Sequence, residues 1–320
     1  MLLSKCNKDL QGFANFEGLN TKTIMLKRTL FLSNPYHLSL KNLQLVISEK
    51  SGEVLKKAPV EDIGFVVLEN QQISITMKLI EQLNQNNVAV VFCDSKHLPS
   101  AMLLPLDAHH IQNELFRAQI NASEPLKKNL WKQTIEAKIK NQARLLEKQG
   151  LQGRQLKNLA RTVKSDDSDN REGFAARLYW NALFGKQFIR DRYGNPPNMY
   201  LNYGYILLRS AVARALAGSG LLATLGIHHR NRYNAFCLAD DIMEPYRPWV
   251  DEIVCEIEEK YPGDYMLRKE HKAKLLQLMA ADVRIGENKR PLMVALSQTT
   301  ASLARCFNGE VRKITYPVFE

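Results

Sequence analysis

Between Gly226 and Pro248 the chain sets two adjacent imidazoles, His228 and His229, about fifteen residues ahead of an acidic pair, Asp241 and Glu244. The acids are three apart, so on a helical turn they share a face. Fifty-seven residues before His229, Glu172 stands in the first turn expected of an apolar helix that ends at Gly185. Two carboxylates and an imidazole are the donor set of a site for Mg²⁺ or Mn²⁺, harder ions than a thiolate site selects, with positions left over for phosphate oxygen. Glu172 is the natural third ligand. Each residue also has a plainer use. A first-turn glutamate favours the helix dipole, either histidine can be a hydrogen-bonded core residue, and Asp241 or Glu244 can pair with Arg232 or Arg247. Their grouping in a basic chain is what favours a cation site facing phosphate.

Other chemistries lack their motifs. Neither common type of glycine-rich phosphate loop is present, nor Gly-x-Ser-x-Gly, nor His-Glu-x-x-His. Lys and Arg number 44 against 33 Asp and Glu, giving a net charge of +11. That balance favours a polyanionic partner, with nucleic acid the first candidate. The 320 residues are 45% hydrophobic, enough for a large core and two domains. Five scattered cysteines without a Cys-x-x-Cys pair imply neither disulfide framework nor zinc knuckle. With no apolar run of about eighteen residues and no basic-then-apolar leader, a cytoplasmic protein without membrane partners is expected.

The elements that must position these residues follow from hydrophobic period. Short apolar runs, Thr29–Leu32, Leu43–Ile47, Ile63–Leu68 and Val88–Phe92, separated by turn residues, predict strands, with one amphipathic helix near Ser74 to Asn84. After His110 the period changes to 3.6 and the rest reads as helical. Pro245 and Pro248 are expected to end or bend the turn that carries Asp241 and Glu244. The fold class is therefore α+β: a small β-rich, sandwich-like N-terminal domain over 25–108 and a larger all-α domain over 109–320. Residues 1–24 are polar and weakly patterned, and read as an extension outside the core, with Met25 as the functional start. One long helix carries Lys128, Lys132, Lys140, Arg144 and Lys148 at four-residue steps, broken by Glu136, a row able to follow a phosphate backbone or simply to face solvent.

At these residues the chain resembles the CRISPR-associated protein one family, the integrase of spacer acquisition, and most of all its type II branch. The resemblance covers about Met25 to Pro317. It is carried by Lys27-Arg-Thr-Leu-Phe, Glu172-Gly-x-Ala-Ala-Arg177, Asn202-Tyr-Gly-Tyr205, Gly226-Ile-His-His229 and Leu238-Ala-Asp-Asp-Ile-Met-Glu-Pro-Tyr-Arg-Pro248. It implies that Glu172, His229 and Glu244 bind a divalent metal, Mg²⁺ or Mn²⁺, with Asp241 in support. His229 is preferred over His228 because its fifteen-residue step to Glu244 fits type II members. The implied activity joins 3′-hydroxyl ends of a short double-stranded DNA, the spacer precursor, to the CRISPR repeat by transesterification. The implied assembly is a homodimer formed through the N-terminal domain, with two such dimers bridged by a dimer of CRISPR-associated protein two. Lys128, Lys132, Arg144, Arg230 and Arg232 are candidates for contacting the DNA backbone. The chain departs from the family pattern in its 24-residue extension. Two other functions remain open: a metal-dependent nuclease acting on branched or single-stranded DNA, and a non-catalytic basic DNA-binding scaffold.

Overall fold

Runs rich in Val, Ile, Leu and Phe become strands because branched and aromatic side chains suit a pleated, buried surface. The computed structural model describes residues 27–320, and the chain divides after Leu106. The expectations for residues 1–24 and for Met25 lie outside the described residues. In the first unit, β1 (Arg28–Leu32), β2 (His37–Lys41), β3 (Gln44–Ser48), β4 (Val54–Pro59), β5 (Ile63–Leu68), β6 (Ser74–Ile75), helix α1 (Met77–Gln85), β7 (Ala89–Cys93) and β8 (Pro99–Leu103) build two four-stranded sheets.

One sheet has the order β1-β5-β7-β8, its first three strands parallel, and the other the order β4-β3-β2-β6. The parallel strands are those with continuous apolar runs, as burial on both faces requires. Leu30, Leu38, Leu45, Ile47, Leu79 and Leu83 share one hydrophobic cluster, so both sheets and α1 meet in a single core. Each such side chain contributes about 1.5–3 kcal/mol on burial. Leu43 belongs to a turn, not to a strand: Asn42 and Leu43 both have positive φ and close the β2–β3 hairpin.

The second unit, Asp107–Glu320, contains α2 (Gln112–Ile120), α3 (Glu124–Lys148), α4 (Arg154–Arg161), α5 (Arg171–Phe184), α6 (Asn198–Gly218), α7 (Cys237–Met243), α8 (Arg247–Lys260), α9 (Lys269–Leu276), β9 (Asp282–Ile285), β10 (Asn288–Pro291) and α10 (Leu292–Phe307). It is mostly helical, but not all-α. Val283 and Ile285 alternate with exposed neighbours, and a two-residue turn begun by Gly286 at φ 60° pairs β9 with β10. The prolines also act differently from expectation. Pro245 and Pro248 occupy the opening positions of a 3₁₀ turn (Glu244–Tyr246) and of α8, where a missing N–H costs nothing, so they start helical segments instead of breaking one. No helix among the described residues is long and apolar enough to cross a membrane.

Candidate functional site

Helix α5 begins where the preceding acidic loop turns back on itself. Asn170, in the left-handed region, accepts from the Gly173 N–H, while the two oxygens of Asp167 accept from the N–H groups of Arg171 and Glu172, each at 2.9 Å. These caps satisfy the helix's otherwise orphaned donors and fix Glu172 in the first turn.

The histidine segment is held by one buried carboxylate. Asp241, on α7 and 0% exposed, accepts from the backbone N–H of His228 at 3.0 Å and of His229 at 3.3 Å, and lies 2.5 Å from His229 Nδ1. Such close approach requires glycine at 226, since a Cβ there would stand 2.4 Å from the His229 carbonyl and 2.7 Å from Asp241 Oδ2. Trp131 of α3 completes the seat. It stacks on His228 with centroids 4.2 Å apart and meets His229 edge-on at 5.6 Å. With Nδ1 committed to Asp241, Nε2 is the His229 nitrogen left for a ligand role. The Asp241 hydrogen bond raises the His229 pKa; burial opposes this, and the charges of Asp241, Glu244 and Glu172 reinforce it. His228 turns elsewhere, to Asp166 at 3.3 Å.

Glu244 opens the 3₁₀ turn after α7 and is 3% exposed. Arg247 approaches its Oε1 at 2.7 Å, the pairing open from sequence. The unexpected member is Lys138 of α3. Its ammonium, on a residue only 7% exposed, lies 2.5 Å from Glu172 Oε1 and 2.6 Å from Glu244 Oε2. The second contact is ionic without hydrogen-bond geometry, and that buried Glu244 oxygen accepts no hydrogen bond. Burial pushes the Glu172 carboxyl up, but the Lys138 charge and hydrogen bond, with the charges of Arg247 and His229, outweigh it and hold it below its ordinary value. For Lys138, burial alone would lower the pKa; the charges of Glu244 and Glu172 reverse this and raise it.

Glu172 and Glu244, distant in sequence, thus meet on one cation. His229 couples to both electrostatically, but among the described residues no three His, Cys, Asp or Glu side chains gather closely enough to hold a metal ion. The donor chemistry nonetheless fits a hard cation: two carboxylates already bracket a positive charge, and one buried Glu244 oxygen lacks a hydrogen bond. Lys138 lies outside the sequence expectation because the α3 cations considered there form an outward row, able to follow phosphate or to face solvent, and Lys138 is not on that face. Its signal was a polar stripe, Thr134, Lys138 and Asn141, crossing the buried face of α3 beside Ile135 and Ile139.

The candidate phosphate-contacting cations have internal partners. Lys128 lies 3.6 Å from Asp166, Lys132 3.8 Å from Glu136, and Arg230 2.6 Å from Glu124. Arg144 donates to the Phe319 carbonyl at 3.1 Å, and Arg232 covers the exposed Tyr233 ring. The α3 row and Arg230 are thus partly engaged by their own surroundings, but Arg230, although paired, stays exposed and stands with Arg232 on the exposed loop that follows His229.

The family model described as CRISPR associated protein Cas1 matches residues 30–277. The CRISPR-associated endonuclease Cas1 of Neisseria meningitidis serogroup C (strain 8013) is 41% identical over 238 residues, covering 74% of this chain and 77% of its own. Among solved structures, a casposase bound to integration product superimposes with a TM-score of 0.71 at 20% identity, over 87% of this chain and 90% of that one. A Cas6-RT-Cas1–Cas2 complex gives a TM-score of 0.64 at 19% identity, over 87% of this chain and 34% of that one. At these identities the two structures establish the fold alone.

Proposed function

The chain belongs to the CRISPR associated protein Cas1 family, and from that membership we propose that it is a metal-dependent DNA integrase of CRISPR adaptation. It joins the 3′-hydroxyl ends of a short double-stranded DNA to the repeat of a CRISPR array. The observation that carries the reading is the meeting of Glu172 and Glu244 on one buried cation beside an imidazole oriented by Asp241. The relative named an endonuclease and the casposase caught with an integration product support the same class of chemistry.

Glu172, Glu244 and His229 would hold Mg²⁺ or Mn²⁺. Such an ion, when bound, lowers the pKa of an attacking hydroxyl and offsets charge on the phosphate. The chain's own residues set the stage. Asp241 fixes the His229 ring and its tautomer, and Arg247 engages one Glu244 oxygen while the other faces the site. Side-chain exposure of 46% at His229 and 28% at Glu172, against 4% at Glu244, makes the imidazole side the direction of DNA approach. One phosphodiester replaces another, so no nucleotide is consumed.

The test is strand transfer with labelled DNA and Mn²⁺ or Mg²⁺. Alanine at Glu172, His229 or Glu244 is expected to abolish joined products while DNA binding persists; full integration by all three variants refutes the assignment. A nuclease, which the name of the Neisseria relative favours, yields shortened strands and no joined ones. A DNA-binding scaffold needs no divalent ion and tolerates Glu244→Gln. Under the integrase reading the protein is a homodimer and assembles with a dimer of the Cas2 protein, as the complex containing Cas1 and Cas2 suggests. Co-elution of the two purified proteins tests that.

A further inference from the structure

Lys138 is a long-chain amine placed on the buried face of α3, between Ile135 and Ile139, with its ammonium in contact with one oxygen of each of two carboxylates that the proposed function names as ligands. Two carboxylates brought this close repel each other unless a positive charge stands between them. Arg247 offsets part of that charge, but its 2.7 Å contact is with the other Glu244 oxygen, Oε1. Lys138 therefore stands between one oxygen of each carboxylate, hydrogen-bonded to Glu172 and in purely ionic contact with Glu244, on a four-carbon stem whose bonds can rotate.

Resting on the integrase reading, we propose that Lys138 is a resident counter-cation which the divalent ion displaces. Ion binding is then an exchange of one cation for another. The lysine holds Glu172 and Glu244 in register before exchange and sets the ion concentration at which exchange occurs. It is a positioning residue, not a ligand.

The test is Mn²⁺ binding to the full-length protein without DNA, followed by electron paramagnetic resonance of free Mn²⁺, in wild type, Lys138→Met and Lys138→Arg. Methionine keeps most of the stem and removes the competing charge. It is expected to tighten Mn²⁺ binding about tenfold or more, which corresponds to about 1.4 kcal/mol. The metal-free melting temperature should fall and be restored by Mn²⁺, while Lys138→Arg binds no more tightly than wild type. Equal or weaker binding by a folded Lys138→Met protein overturns the proposal, because the lysine is then a permanent bridge. If Mn²⁺ binds but Glu172→Gln and Glu244→Gln leave wild-type affinity unchanged, the assignment of the site itself fails, a different result from failure of the exchange.

Discussion

Asn141 ties the turn carrying Glu244 to the chain's last segment, and its removal offers a worked test of how the site is held. Its side chain, 2% exposed, donates to the Pro245 carbonyl at 2.8 Å and to the Pro317 carbonyl at 3.1 Å, and accepts from the Phe319 N–H at 3.1 Å. Two carbonyls on one side and an N–H on the other leave only one orientation for the amide. Asn141→Ala strips three buried backbone groups of a partner. At about 1–1.5 kcal/mol for each bond, the loss is about 3–5 kcal/mol. All three tryptophans, Trp131, Trp180 and Trp249, lie in the helical unit, so fluorescence-detected urea unfolding reports on that unit. The expected result is a lower midpoint together with weaker Mn²⁺ binding, since the Pro245 carbonyl adjoins Glu244. Asn141→Asp should be at least as damaging, because it sets a carboxylate oxygen against a carbonyl. A loss below about 1 kcal/mol for alanine, the worth of one ordinary bond, would refute the reasoning.

Three further outcomes are expected. The raised His229 pKa means that its pairing with Asp241 stabilises fully below the ordinary 6.5 and is lost as pH rises through the higher folded value. Nuclear magnetic resonance titration should show that pKa falling in Asp241→Asn, and no fall would remove the carboxylate as its cause. Asp251, buried and bonded to the hydroxyls of Tyr179 and Tyr205, is pushed up by burial to about 6 against an ordinary 3.8. Its protonated form favours the fold, a contribution complete below about pH 3.8 and lost as pH rises through about 6, worth about 3 kcal/mol at 1.4 kcal/mol per pKa unit. Asp251→Asn should flatten the stability profile over that range, and an unchanged slope in urea unfolding across pH would count against it. For DNA, contact with about six phosphates predicts roughly a thousandfold weaker binding between about 50 and 200 mM salt. Alanine at Arg230 and Arg232 should reduce that slope more than alanine at Lys132 or Arg144, and fluorescence anisotropy would reveal the reverse.

The β-rich first unit and the larger helical second unit, with most of the long elements, were legible in sequence because burial imposes a period of two or 3.6 on apolar residues. Strands β2, β4, β6 and β8 lie outside the expectation because none carries a sustained apolar run; β4 carries Lys56 and Lys57 and buries only Ala58. Ser74–Ile75, expected to open the helix, pairs as β6, while α1 starts at Met77. The hairpin of β9 and β10 lies outside it too, its four-residue strands too brief to break a helical pattern. Glu172 could be placed at a helix start because capping is local chemistry, and Asp241 with Glu244 because three residues separate them.

What belonged to the sequence alone was the inventory of acids, imidazoles and basic charge, and the local turns that aim them. Only tertiary structure decided that Lys138 stands between Glu172 and Glu244, that Asp241 serves the histidine and not the arginines, and that Arg144 reaches the Phe319 carbonyl. The reason is distance along the chain: a pairing across 34 or 106 residues leaves no periodic trace, and is set by which helix faces must be buried together.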